Sequence, residues 1–192
     1  MLKDLVIRNR SYRGYDPSRK MTKEELESLV DLTRYTASSV NLQPLRYHIA
    51  WKEDEVDTIQ GMTKWAAALP HLKLPFPGKR PTGFIIICID TSLAPNPTVF
   101  LRDVGIAAQT MLLAAVEQGL GGCMIGNFDK EEVRDKLDLP INAEPNLVVA
   151  IGKPDEDITL THVGADGNTR YYRDETGQKH FVPKRSLNEI LI

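Results

Sequence analysis

Cysteine is nearly missing from this chain of 192 residues: there are two, Cys88 and Cys123, alongside four scattered histidines. They make no metal-ligand spacing and no disulfide framework, which excludes a zinc site or a disulfide scaffold and suits a reducing cytoplasm. An excess of charge of one sign is missing too. Lys and Arg number 24 against 26 Asp and Glu, well mixed along the chain, for a net charge of −2. That balance leaves no electrostatic footprint for nucleic acid or a membrane surface, so any anion site is local. No stretch approaches about 18 consecutive apolar residues, and the opening MLKDLVIRNRSYR is too charged for a signal peptide; the expectation is a cytoplasmic protein without a membrane partner. Repeats, low-complexity segments and composition breaks are absent as well. A chain of this length with 42% hydrophobic residues builds one core and buries roughly 70% of its unfolded surface, giving a single domain over residues 1–192.

What is present reads as interspersed helices and strands. Leu2, Leu5 and Val6 recur at helical spacing and are followed by Arg8, Arg10 and Arg13, cations that suit a helix C-terminus. Thr22 with Glu25 is a capping box ahead of a second helix. TASSVNLQPL reads as loop, YHIAW at 47–51 as a strand, and 53–69 as two short helical pieces. PHLKLPFPGKRP, with four prolines in twelve residues, is a loop. FIIICID at 84–90 is a run of β-formers expected as a buried central strand. Asn96 and Pro97 open a helix to about Gln118 that has almost no polar face, so it lies in the core or against another chain. CMI at 123–125 is a short strand, Asp129 with Glu132 opens a helix to about Leu137, and NLVVAIG at 146–152 is a second buried strand. The tail ending HFVPKRSLNEILI has apolar residues and little local reason to be compact. Without a clean β-α-β alternation, the fold class is α+β.

GLGGCMIG, residues 119–126, has the glycine density of a phosphate loop in the wrong place. A dinucleotide fingerprint puts its glycines between a strand and a helix N-terminus, whereas these follow a long helix, and Met124 stands where the third glycine would be. Glycines here serve either close approach of the backbone to a ligand or a simple helix stop.

Three stretches together resemble the FMN-dependent nitroreductase family: RSYR at 10–13 ahead of Tyr15, ASSVNLQP at 37–44, and DVGIAAQTMLLAAVEQGLGGCMIG at 103–126. GKP at 152–154 and the PKRSLNEIL tail follow in the family's order. The resemblance implies a mostly antiparallel central sheet flanked by helices, in an intertwined homodimer whose C-terminal tail crosses to the partner subunit. It implies FMN as cofactor, NADH or NADPH as donor, and a nitroaromatic, quinone or similar small molecule as acceptor, with ping-pong hydride transfer through flavin N5. The rivals are a specialised flavin reductase of the same fold and a non-enzymatic flavin-binding or storage protein.

The resemblance also implies site residues. Arg10, Ser11 and Arg13 would hold the FMN phosphate, as guanidinium forks and a hydroxyl suit a dianion; the alternative is a solvated basic helix end. Many relatives have arginine where this chain has Asn9, and Arg8 is the available substitute. Ser38, Ser39 and Asn41 would reach the flavin across the dimer interface, against the alternative of a loop that caps its own backbone. Cys123 and Met124 would form the wall beside the isoalloxazine, with Ile125 and Gly126 also in the cofactor site and Gly126 and Asn127 as donors near N5. Lys184 or Arg185 would be a second phosphate contact, against the alternative of two solvated charges on a tail, and Trp65 would line the substrate side, against the alternative of a core residue. No side chain is required as acid or base, and Cys123 is expected as packing, not as a nucleophile.

Overall fold

A computed structural model describes residues 1–177 and 179–192. The elements are α1 (Leu2–Arg8), β1 (Tyr15–Asp16), α2 (Lys23–Leu32), β2 (Leu45–Ala50), α3 (Glu53–Met62), β3 (Gly83–Asp90), α4 (Leu101–Glu117), β4 (Gly121–Ile125), α5 (Lys130–Lys136), β5 (Ala143–Pro154), β6 (Asp157–His162), β7 (Tyr172–Arg173) and β8 (Lys179–Lys184). The main sheet has five strands in the order β1-β5-β3-β2, with β4 also pairing β5, and every pairing is antiparallel.

β3 is buried along its full length because both faces of the sheet are covered, as the run FIIICID foretold. Side chains alternate across a strand, so β3 feeds two cores. Ile85, Ile87 and Ile89 pack with Leu26 and Leu29 of α2 and Met111 and Leu112 of α4. Phe84, Ile86 and Cys88 pack on the other side with Val56 and Ile59 of α3 and Val133 of α5. The capping box of α2 forms as expected, with the Glu25 N–H donating to Thr22 Oγ1 at 3.2 Å. By length and composition, Pro97–Glu117 could cross a membrane, but half of that stretch is buried inside the protein, where it forms the spine of the first core. Its outer side leaves Val99, Leu101 and Ile106 exposed.

Three expectations need correction. Residues 53–69 form the single helix α3 and then a turn, not two helical pieces. The strand expected at 146–152 runs from Ala143 to Pro154, because it has partners on both sides. The tail is not without local structure: β6 pairs β8 in parallel and β7 pairs β8 antiparallel, making a second sheet of three strands. Phe181 stacks on Tyr172 at 5.0 Å between ring centroids, so its partner lies within the same chain.

Candidate functional site

The segment after α1 is tied to the edge of β4. Ser11 forms a parallel bridge with Gly122, and the Tyr12 N–H donates to the Gly122 carbonyl at 3.1 Å. Arg10 turns back to donate from Nη2 to the Val6 carbonyl at 2.6 Å, closing the end of α1, while its Nε is buried with no hydrogen-bond partner. This arrangement brings Arg10, Ser11 and Arg13 to a cavity of about 320 Å³ floored by Gly122 and Met124. Tyr171, His180 and Lys184 of the tail close its other side. Three basic side chains and, among the described residues, no carboxylate line the cavity. That lining suits an anion joined to an apolar body, and the volume falls within the range of small-molecule sites. Asn9 lines the cavity itself; Arg8 does not, and its carbonyl accepts from the Tyr12 hydroxyl at 2.8 Å.

The tail side is electrostatically dense. Glu156, with its side chain 2% exposed, accepts from the Arg13 N–H at 2.7 Å and pairs with the buried Arg173 guanidinium. The Arg13 guanidinium lies 4.7 Å above the Tyr171 ring. His180 meets Tyr171 edge-on at 5.4 Å, is itself 2% exposed, and has no hydrogen-bond partner at either ring nitrogen. Its Nδ1 lies 3.4 Å from Glu156 Oε1 without hydrogen-bond geometry. Burial first, then the charges of Arg13 and Arg173, push its pKa down to about 4, which favours the neutral ring.

Arg13, Met124 and Tyr171 also border a second cavity of about 170 Å³, whose wall is Cys123, Ile125, Gly126, Asn127 and Trp65. The glycines of this region divide by role. Gly119, at φ +75°, ends the helix. A Cβ on Gly121 would sit 2.6 Å from the Tyr12 ring, and one on Gly122 would sit 2.6 Å from Leu112 Cδ2, so these two permit close packing within the protein. Gly126, like Gly119, has nothing within 4 Å of an added Cβ, and of the two it is Gly126 that borders the second cavity. Asn127 is fixed by its carbonyl, which accepts from the Lys64 N–H at 2.9 Å. The Trp65 indole N–H donates to Thr63 Oγ1 at 2.9 Å, leaving the ring half-buried at the cavity edge. Cys123 is buried, and burial, opposed by the charge of Arg13, raises its thiol pKa.

Other expected site residues stand elsewhere in the chain. Ser38 and Ser39 donate their hydroxyls to the buried Asp103 carboxylate at 2.7 and 2.8 Å, and the Ser39 N–H adds a third bond at 2.9 Å. These three donors hold the Asp103 pKa down against the opposing effect of burial. The loop is therefore anchored to α4, and neither serine lines the Arg10–Lys184 cavity. Asn41 is exposed in the left-handed region at φ 53°, its Oδ1 accepting from the Gln43 side chain at 3.1 Å. Between Lys184 and Arg185, the structure puts Lys184 at the cavity; Arg185 faces Glu189 at 3.6 Å. Sequence reasoning missed Glu156, Tyr171 and His180, which have no spacing pattern and reach the site only through the pairing of β6, β7 and β8.

Along one strand edge of this α+β sheet, then, lies a cavity whose lining, among the described residues, is basic and free of carboxylates and suits an anionic small molecule. The chain belongs to the nitroreductase family, whose model matches residues 7–153. A Methanothermobacter thermautotrophicus protein provisionally named as an NADH dehydrogenase/NAD(P)H nitroreductase is 26% identical over 157 residues, 80% of this chain and 77% of that protein. The crystal structure of a Parabacteroides distasonis protein with the same provisional name shares 25% identity at a TM-score of 0.66, covering 81% of this chain and 88% of the other. A nitroreductase-type protein of Exiguobacterium sibiricum, solved in complex with FMN, shares the fold at a TM-score of 0.67 and 18% identity, covering 81% of this chain and 89% of that one.

Proposed function

We propose that the protein is an FMN-dependent NAD(P)H oxidoreductase that reduces nitroaromatics, quinones or similar small molecules in the cytoplasm. The observation that carries this reading is the cavity with Arg10, Arg13 and Lys184 on its rim, no carboxylate, and Met124 on its floor. FMN presents the matching chemistry, a phosphate at one end and a planar ring at the other. The residues fit it: Arg10 Nε is a buried donor awaiting a partner, and the open space at Gly126 admits a ligand against the backbone. Bound there, FMN would supply the hydride-transfer chemistry at N5 between NADH or NADPH and the acceptor.

The chain's own residues bind and orient. Arg10, Ser11, Arg13 and Lys184 hold the phosphate by charge-assisted hydrogen bonds. Met124 and Ile125 wall the ring, the backbone at Gly126 and Asn127 presents donors near its redox edge, and Trp65 lines the acceptor side. A homodimer completes the site in this reading, with Ser38, Ser39 and Asn41 contributed by the partner and the end of the tail crossing over. Its support is apolar surface left bare in one protomer: α1 buries no residue, and Val99, Leu101, Ile106, Leu187, Ile190 and Leu191 are exposed. Obligate interfaces of this kind bury on the order of 2,000–5,000 Å².

The purified protein is expected to be yellow, to release its flavin on heating or acid, and to bleach anaerobically with NADH or NADPH. A colourless preparation that takes up no added FMN overturns the reading. Bound flavin that neither nicotinamide bleaches leaves a flavin-binding protein without the enzyme. Sedimentation is expected to give a dimer that weakens when residues 187–192 are deleted, and a flavin-loaded monomer overturns the dimer.

A further inference from the structure

We propose that His180 hydrogen-bonds the phosphoryl group of the bound flavin nucleotide and takes up a proton when it arrives. The inference rests on the FMN reading above. His180 is 2% exposed, neither ring nitrogen has a hydrogen-bond partner, and the ring borders the cavity shared with Arg10, Arg13 and Lys184. Buried polar groups in native proteins nearly always find a partner, so a buried imidazole with two unmet nitrogens beside a basic cavity is shaped for a ligand. It also lies outside the stretch 7–153 that matches the family, on a strand particular to the tail.

Every charged or titratable group facing the ring bears on its protonation. Arg13 approaches from the segment before β1, Glu156 from the β5–β6 turn, Tyr171 and Arg173 from β7 and its approach, and Arg10 and Lys184 across the cavity. Burial and the two guanidiniums push the imidazole pKa down, against the protonated ring. A phosphate dianion at the cavity reverses that balance, because it offers an acceptor whose charge favours imidazolium. The proton comes from solvent to the free ring nitrogen, leaving both nitrogens as donors. A group whose pKa rises on binding strengthens that binding as pH falls through the bound value. Riboflavin has no phosphate and is expected to leave His180 unmoved.

Proton NMR of the four histidine C2–H resonances, in flavin-free, riboflavin-loaded and FMN-loaded full-length protein, reads this directly. Single variants at His48, His71 and His162 assign three resonances and leave His180 by elimination. The His180 resonance is expected to titrate near 4 without phosphate and to move up by about a unit or more with FMN only. In parallel, His180→Gln is expected to lose FMN affinity relative to the wild type increasingly as pH falls, by up to about tenfold for each unit of that shift, with riboflavin affinity unchanged. The titration of the phosphate itself affects both proteins and cancels in the ratio. Should His180→Gln fail to fold, the NMR comparison decides alone. Equal His180 titration in the riboflavin and FMN complexes overturns the proposal and leaves the FMN reading intact. A wild-type protein that binds no flavin overturns both.

Discussion

In the five-stranded sheet, β3 buries all eight of its residues, whereas β6 buries none and the strands of the second sheet together bury one, His180. The first sheet is held by apolar area: each fully buried isoleucine contributes about 1.5–3 kcal/mol, and β3 alone carries four. The second sheet has pairing, one aromatic stack and the buried ion pair of Glu156 with Arg173, to which the Arg13 backbone N–H adds a hydrogen bond and whose desolvation offsets much of its attraction. The site lies at the seam between them. Its floor is therefore stiff and its far wall conditional on charge, the distribution expected where ligand-binding elements come from the less stable part of a fold.

Glu156→Gln tests the contrast most severely. Removing the carboxylate leaves the buried Arg173 guanidinium without its ion-pair partner and with the Arg13 charge still acting on it, a change of about 3–5 kcal/mol. The small sheet has too little apolar burial to absorb it, so amides of β6 and β8 are expected to exchange rapidly while the main thermal transition barely moves. Hydrogen exchange read by mass spectrometry alongside a melt separates the two regions. Protection retained in β6 and β8 would show that the second sheet stands on apolar packing after all.

The matching cut in the first sheet is Ile87→Ala, expected to cost about 2–5 kcal/mol and to lower the main transition. Ile158→Ala, at a half-buried position of β6, is expected to cost less than about 1 kcal/mol in the same melt. Comparable losses at both sites would erase the distinction between the sheets.

The same contrast explains what the sequence made legible. β3 and α4 announce themselves because burial on all sides needs continuous apolar runs, and the capping box of α2 is a local signal with a local cause. β1 is two residues long and exists only because the end of β5 pairs with it. β6 alternates only Ile158 and Leu160 with polar residues, too short a pattern to stand out, and its parallel register with β8, Asp157 against Lys179 through His162 against Lys184, is a long-range fact that no local pattern contains. The site divides along this line. Arg10, Ser11, Arg13, Met124 and Gly126 were readable from compact motifs, whereas Glu156, Tyr171 and His180 are placed by the pairing of the tail. Ser38 and Ser39 mark a further limit, since a short hydroxyl side chain reads alike whether it meets a ligand or, as in this protomer, the carboxylate of Asp103.

Arg13 belongs to both regions, since its backbone N–H is held by Glu156 and its guanidinium lies over Tyr171 while also lining the cavity. Arg13→Ala is expected to weaken FMN binding by about 1.5–3 kcal/mol, roughly tenfold to a hundredfold, the worth of a hydrogen bond to a charged group. Riboflavin binding should change far less, because the lost partner is the phosphate. Equal losses for both flavins in fluorescence titrations would mean that Arg13 serves the packing of the tail and not the ligand.

The smallest effect on turnover is expected at Cys123, on the stiff side of the seam. Its side chain is buried in the wall of the second cavity, and burial raises its pKa, opposed by the nearby Arg13 charge and Ser11. A thiol becomes a nucleophile as thiolate, in exposed and electropositive surroundings that lower its pKa; here the cationic contribution is outweighed. The reaction proposed above also needs no protein nucleophile. Cys123→Ser should therefore keep most of its turnover while losing some stability, because a hydroxyl replaces a soft sulfur in an apolar pocket. A variant that binds flavin fully yet turns over no acceptor would move the chemistry from the seam into the wall, and the division between a stiff floor and a reacting surface would no longer hold.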